Sequence, residues 1–289
     1  MVTQVTKADW QQGLDALREE VSRVTALLRS SPDPAAPAVG TWNLGEVALH
    51  LAQYWLILTS LARQDLSRVY TELPEVAGAS GGPLLRNIWD LADMTVRGVK
   101  SDPERDLGAL ADRLDAEAQR YFTDCAGADP AAPCPWLVEG ITLPLSAYTY
   151  HLLNETLIHG RDIALAAGRK WPIERTHAAM ALGQFVVPLF KTAPPRTFTT
   201  AEAAGVRATY DVRLRGAGSF YFVFDDGGFS VEEPSYRTVD CHISADPLAL
   251  LLVAFGRQSQ WTAIAQTKLM AWGRKPWLGL QLRSFLRNP

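Results

Sequence analysis

The segment from His151 to His159 places a histidine, a glutamate and a histidine at successive four-residue steps. On an α-helix, side chains four residues apart lie above one another on one face, so Glu155 and His159 can point at the same atom. Imidazole nitrogen and carboxylate oxygen are both good ligands for a divalent metal such as zinc. The spacing therefore predicts a metal site, unless the two residues form an ordinary polar pair within the helix.

A third ligand has to come from another part of the chain, which has only five histidines. His50 is the best candidate, because it lies in a second strongly helical segment that begins at Thr41. Two histidines and one carboxylate would leave a tetrahedral zinc with one open position, which is typical of a catalytic rather than a structural site. We therefore predict that His50, Glu155 and His159 bind one catalytic divalent metal, with zinc preferred.

Three further residues are candidates for a catalytic role. His151 lies two turns before His159, where it could border the cavity, donate a hydrogen bond to a substrate or face solvent. Asp162 could orient His159 from behind, or it could bond to nearby backbone or to a tryptophan. Arg86 and Arg97 are predicted on a helix that could line a bundle. A guanidinium there would suit a carboxylate substrate, although most surface arginines are only solvated.

Composition limits the class of protein. The chain has 289 residues, of which 47% are hydrophobic and 20% charged, at a net charge of −3. This is long enough for two domains, and its mildly acidic charge gives no electrostatic reason to expect nucleic acid. No apolar run approaches the roughly 20 residues that span a bilayer, and no secretory signal is recognised. The three widely spaced cysteines do not suggest disulfides, so we predict a cytoplasmic protein.

The spacing of apolar residues predicts a helical first part and a mixed second part. Helices are predicted over residues 7–29, 43–68, 84–100, 103–122, 144–167 and 174–190. Loops rich in proline and glycine cover residues 73–83 and 126–142. From Val206 onward, period-two alternation predicts strands, with a hairpin turn at residues 225–228. We place a helical domain at residues 1–192 and a small α+β domain at residues 196–289.

Parts of the sequence resemble a known family. The segment from Trp42 to Leu51 looks like the signature that opens the second helix of DinB-like metal-binding four-helix bundles. Glu155 to Gly168 looks like a later signature of one branch, the mycothiol-dependent maleylpyruvate isomerases. The segment from Ile243 to Leu251, with Gly256 and Arg257, is similar to the sterol-carrier-protein-2-like domain fused to many members. The resemblance implies a DinB-like four-helix bundle followed by a smaller sterol-carrier-like α+β domain.

The resemblance also implies a ligand set and a reaction. The zinc ligands of the family match His50, Glu155 and His159. Mycothiol, the small thiol of actinobacteria, would bind there as a thiolate and attack a small electrophilic substrate.

Two enzymatic outcomes and one non-enzymatic alternative remain open. We favour S-transfer, because the arginines form no recognisable clamp for a dicarboxylate and the two loops give room for a larger substrate. The alternative is cis–trans isomerisation of the maleylpyruvate type. From another class, the protein could be a non-catalytic binder of metal and of a lipid or small molecule. The sequence leaves the electrophile and the oligomeric state, monomer or dimer, undetermined.

Overall fold

The computed structural model describes residues 5–31, 33–77 and 84–287. The chain divides into two compact units, an N-terminal unit at Val5–Pro172 and a C-terminal unit that begins at Ile173. Residues 78–83 of the predicted loop at 73–83 lie outside the described residues. Among the helices that the structure describes, none combines the length and the apolar character that a bilayer crossing requires.

The N-terminal unit is helical apart from two short hairpins. In chain order its elements are α1 (Lys7–Arg29), β1 (Pro37–Val39), β2 (Trp42–Asn43), α2 (Leu44–Ala62), α3 (Ser67–Glu72), α4 (Pro74–Ala77), a 3₁₀ turn (Ile88–Asp90), α5 (Leu91–Ser101), α6 (Leu107–Cys125), β3 (Pro133–Pro135), β4 (Thr142–Pro144) and α7 (Leu145–Ala166). Helices α1 and α2 each pack against both α6 and α7. This arrangement is the predicted four-helix bundle, and the prediction is confirmed.

Helix α2 begins with a capping box. The Asn43 side chain accepts from the backbone N–H of Glu46 at 2.9 Å, and the Glu46 carboxylate accepts from the backbone N–H of Asn43 at 2.9 Å. These reciprocal bonds satisfy two donors that a helix start leaves unpaired. The helix ends at Ala62, ahead of the predicted end near residue 68, because Gln64 adopts a left-handed conformation with φ of 59°.

Buried hydrogen bonds connect the bundle helices side by side. The indole of Trp55 on α2 donates to Thr156 on α7 at 3.3 Å, and the indole of Trp10 on α1 donates to Thr149 on α7 at 2.7 Å. A buried donor without a partner is costly, so each indole favours one axial alignment of its two helices. The Trp55 bond brings the middle of α2 level with the middle of α7, where the predicted metal ligands lie.

Two predicted elements differ from the structure. The helix predicted over residues 84–100 begins only at Leu91, after the 3₁₀ turn, so Arg86 precedes the helix and does not lie on it. Asn87 explains the local structure, since its side chain accepts from the backbone N–H of Trp89 at 3.0 Å and caps the turn. The loop predicted at 126–142 contains β3, which pairs with β4 in antiparallel register.

The C-terminal unit combines helices with one sheet. Its elements are α8 (Arg175–Ala181), a π-helical turn (Leu182–Val186), α9 (Val187–Thr192), a 3₁₀ turn (Ala201–Ala203), β5 (Arg207–Leu214), β6 (Gly218–Asp225), β7 (Gly228–Glu232), β8 (Cys241–Ala245), α10 (Pro247–Ala254), α11 (Gln260–Ala265), β9 (Leu269–Trp272) and α12 (Leu278–Phe285). The strand order is β7-β6-β5-β8-β9, and only the β5–β8 pair is parallel. The predicted α+β class is confirmed.

The turn between β6 and β7 follows from its sequence. Asp226 and Gly227 both have positive φ, at 48° and 79°. Two consecutive left-handed residues form the hairpin turn that matches the twist of the flanking strands, and Asp-Gly is a favoured pair for it. The predicted hairpin therefore has a local cause.

Along the chain, the boundary between the two compact units lies between Pro172 and Ile173, so helices α8 and α9 belong to the C-terminal unit. The sequence instead placed these helices in the first domain, at residues 1–192, with the second domain at 196–289. Compactness alone does not define where a domain folds independently. The predicted domain boundary therefore stays a prediction.

Candidate metal centre

Helices α2 and α7 bring the three predicted ligands together. His50, Glu155 and His159 each offer one donor atom, and these atoms all lie within 4.8 Å of one another. The rings of His50 and His159 meet edge to face with centroids 4.7 Å apart. Nε2 of His159 lies 3.4 Å from Oε2 of Glu155. Two helices that are far apart in sequence thus place three donors around one point.

This geometry fits a metal ion. Ligand atoms about 2.0–2.1 Å from a tetrahedral zinc lie about 3.3 Å from one another. The 3.4 Å separation of the Glu155 and His159 donors is close to that value, and the His50 donor lies within 4.8 Å of both. Within the described ranges, no fourth histidine, cysteine or carboxylate joins the group. Two histidines and one carboxylate form a donor set that is typical of zinc sites with one position left for another ligand.

Buried charge makes the centre attractive to a cation. Burial by itself would raise the pKa of Glu155, but interactions with the neighbouring histidines, above all the hydrogen bond from His159 and its charge, lower it to about 2. The pKa of His159 is raised, because the carboxylates of Asp162 and Glu155 outweigh the opposing effect of burial. A buried carboxylate that stays ionised needs a compensating positive charge, which protons on the histidines or a metal ion can supply.

Asp162 lies on the opposite side of the His159 ring from Glu155. Its Oδ2 is 3.3 Å from Nδ1 of His159, and this contact helps to raise the pKa of His159. Histidine ligands commonly direct their second nitrogen at a carboxylate, which fixes the ring and makes the first nitrogen more basic. The position of Asp162 agrees with the predicted orienting role, which remains a proposal.

His151 is buried, with 2% of its surface exposed, so it does not face solvent. The indole of Trp136 donates to its Nδ1 at 3.3 Å, and its Nε2 lies 3.7 Å from Oε1 of Glu155. Burial lowers the pKa of His151 to about 4, against the charge of Glu155, which acts to raise it. The ring is therefore neutral near pH 7 and lies beside a candidate ligand.

Arg86 lies apart from these contacts. Its side chain is exposed, and no hydrogen bond or ion pair joins it to any residue in the described part of the chain. The structure therefore does not bring Arg86 to the metal centre, and its predicted catalytic role stays a prediction without support from geometry.

Two neighbours of the centre were not identified from the sequence. Tyr54 lies one turn after His50, and its ring lies 5.4 Å from that of His50 and 5.5 Å from that of His151. Burial, followed by the charge of Glu155, raises its pKa well above the ordinary value, and its hydroxyl forms no hydrogen bond with a described residue. The four-residue step from His50 could have indicated Tyr54. Trp136 follows a short strand, where no periodicity indicates it.

The C-terminal unit contains a different kind of site. A cavity of about 630 Å³ lies between the sheet and the surrounding helices, with Val212, Phe222 and Ile243 on the sheet side. Of the side chains that line it, only those of Gln260 and Arg283 are polar. A cavity of this size and lining suits a largely apolar small molecule.

Comparisons with known proteins agree with both parts of the fold. Residues 10–164 match the family model of the mycothiol maleylpyruvate isomerase N-terminal domain, and residues 192–276 match that of the SCP-2 sterol transfer family. No curated protein matches the chain.

Solved structures also resemble this chain. The crystal structure of the mycothiol-dependent maleylpyruvate isomerase matches at a TM-score of 0.52 and 13% identity, over 91% of this chain and 92% of that one. A histidine-to-alanine mutant of that enzyme matches equally well. At this identity the likeness establishes the fold alone. The N-terminal family model, in contrast, covers more than half of the chain. The chain therefore belongs to the mycothiol maleylpyruvate isomerase N-terminal domain family of enzymes.

Proposed function

We propose that the protein is a metal-dependent enzyme that uses mycothiol to isomerise a small electrophilic substrate of the maleylpyruvate type. The observation that carries this is the meeting of the His50, Glu155 and His159 donors within 4.8 Å, inside the segment that matches the family. Family membership favours isomerisation over the S-transfer that we preferred from the sequence, for which neither the structure nor the comparisons give support.

The bound metal, with zinc the preferred ion, would supply the positive charge that keeps a thiol ionised near neutral pH. His50 and His159 contribute neutral donors, and Glu155 contributes one negative charge. Asp162 holds the His159 ring from the other side. These residues leave one position for the sulfur of mycothiol.

Tyr54 is suited to act on the substrate. Its raised pKa keeps the hydroxyl protonated, and this hydroxyl has no partner among the described residues. The ring adjoins His50 and His151, so a bound molecule beside the metal centre could accept a hydrogen bond from it. Such a bond would stabilise negative charge that develops on a substrate oxygen when a thiolate adds to the neighbouring double bond.

The amount of thiol consumed separates the two reactions. Isomerisation returns the thiol after the double bond has rotated, whereas S-transfer keeps it on the product. We would incubate the zinc-loaded protein with maleylpyruvate and a tenth as much mycothiol, following the trans product by absorbance and the free thiol by titration. We expect many turnovers for each thiol and no loss of thiol. Consumption of one thiol per product would establish S-transfer, and no reaction with zinc and thiol present would contradict the proposal.

We propose a second function for the C-terminal unit, the binding of an apolar molecule in its cavity. The volume of about 630 Å³ and the nearly complete apolar lining support it. A fluorescent fatty acid should bind the wild-type protein. The Leu250→Trp variant should bind it far more weakly, because Leu250 lines the cavity and a larger ring would fill it. Leu165→Trp, at an exposed site of the N-terminal unit, is the matched control. Equal binding by both variants would contradict this function.

A further inference from the structure

A line of buried polar side chains leads from a loop of the N-terminal unit to the candidate ligand Glu155. Trp136 and His151 are 3% and 2% exposed. The indole N–H of Trp136 lies 3.3 Å from Nδ1 of His151. An indole nitrogen can only donate, so Nδ1 must present its lone pair. The imidazole is then neutral, and its proton lies on Nε2.

The protonated nitrogen of His151 faces one oxygen of Glu155. Nε2 lies 3.7 Å from Oε1, and the side-chain amide of Asn154 donates to the same Oε1 at 3.2 Å. The other oxygen, Oε2, lies 3.4 Å from Nε2 of His159. The two carboxylate oxygens are therefore in different surroundings. The Asn154 amide donates to Oε1, the N–H of His151 lies 3.7 Å from the same oxygen, and the candidate ligand His159 lies beside Oε2.

We propose that Trp136 and His151 are positioning residues that fix the Glu155 carboxylate so that Oε2 alone faces the metal. This inference rests on the proposed function, because it requires that His50, Glu155 and His159 bind the ion. A carboxylate free to rotate can bind through both oxygens and so occupy the position that a thiol needs. The N–H donors at Oε1 oppose that rotation.

The arrangement of contacts gives the two residues different tasks. Trp136 acts on His151 by fixing which nitrogen carries the proton. His151 then acts on Glu155. Partners that orient a metal ligand in this way typically change metal affinity by about 10–100-fold when they are removed. Loss of the single N–H group of Trp136, which His151 and Glu155 separate from the ion, should therefore be measurable as a change in metal affinity.

The test replaces Trp136 with phenylalanine, which keeps an aromatic side chain and removes the N–H. Zinc affinity would be measured by competition with a chromophoric chelator, and Tm would be recorded for each metal-free protein. The matched control is Trp10→Phe, because Trp10 is also a buried indole that donates within the same bundle, to Thr149. We expect Trp136→Phe to bind zinc about 10–100-fold more weakly than the control at a similar Tm.

Nitrogen-15 NMR of the wild-type protein supplies a second readout that needs neither metal nor a variant. His151 should show the neutral form with the proton on Nε2 at pH 7. A proton on Nδ1, or a doubly protonated ring, would overturn the inference. Equal zinc affinity of Trp136→Phe and Trp10→Phe would also overturn it. If the wild-type protein binds no zinc at all, the proposed function fails, and the NMR result still reports separately on the contact between Trp136 and His151.

Discussion

Helices α2 and α7 of the N-terminal unit bring three donor atoms within 4.8 Å of one another, whereas the C-terminal unit contains about 630 Å³ of space lined by apolar side chains. The first site depends on particular atoms at particular distances, because metal ligation and hydrogen bonding are directional. The second depends on total volume and apolar area, because the hydrophobic effect is not directional. Substitutions should therefore have abrupt effects in the bundle and graded effects in the C-terminal cavity.

The largest effect is expected from His159→Ala. This change removes one of three candidate ligands together with its contact to Asp162, so the purified protein should lose its metal and its activity. Metal content per chain, measured by mass spectrometry, checks this. His242→Ala is the control, since His242 pairs with Asp211 at 2.8 Å in the C-terminal unit and should leave the metal content unchanged. A fully metal-loaded His159→Ala protein would remove the basis for the contrast between the two units.

An intermediate effect is expected from His151→Gln, and it depends on pH. The folded pKa of His151 is lowered to about 4, so the unfolded chain takes up a proton first as the pH falls. Stability should therefore fall on acidification between about pH 6.5 and about pH 4, by at most about 1.4 kcal/mol per pH unit for one proton.

The His151→Gln variant should lack this fall in stability on acidification. Urea titrations of the metal-free protein at several pH values would measure the difference between His151→Gln and the wild type. If the free energies of unfolding of the variant and the wild type changed in parallel between about pH 6.5 and about pH 4, His151 would not titrate as its burial implies.

The smallest effect is expected from Ile243→Val in the cavity wall. Removal of one buried methylene should lower the free energy of unfolding by about 0.5–1.5 kcal/mol and leave binding of an apolar probe nearly unchanged. Urea unfolding and fluorescence titration measure the two quantities. Abolished probe binding would mean that the cavity recognises its ligand as specifically as the bundle recognises its metal, and the comparison between the units would fail.

The sequence indicated the three candidate ligands more directly than the residues around them. Glu155 and His159 could be identified because their helical spacing has a direct geometric meaning. His50 could be identified because the chain has only five histidines and this one lies in a second helical segment. Trp136 could not, since its contact with His151 arises only when a loop folds over α7. Tyr54 obeys the same four-residue rule as the ligands, but aromatic residues at helical spacing usually serve the core, so the pattern alone did not distinguish it.

Secondary structure was likewise predicted best where its cause lies in a few neighbouring residues. The helix start at Asn43 and the hairpin turn at residues 225–228 were predicted correctly because their causes are local. The placement of Arg86 on a helix was wrong, because the 3₁₀ turn capped by Asn87 precedes α5. Apolar periodicity does not separate an irregular segment of that kind from the first turn of a helix.

The number of residues in the π-helical turn at Leu182–Val186 sets the direction of the side chains that follow it, and these side chains form part of the cavity wall. Residues of the turn and of the helix after it line the same space, Leu182 and Val186 in the turn and Val187 and Phe190 in α9. Successive residues of an α-helix differ in direction by about 100°, so deleting one residue within the turn would rotate everything after it by that amount. Gly183 has no neighbour within 4 Å of where a Cβ would lie, so the turn itself has room to gain side-chain atoms. In evolution, the gain or loss of one residue in this turn would therefore change many cavity-lining side chains in a single event. Substitutions would change the cavity one side chain at a time.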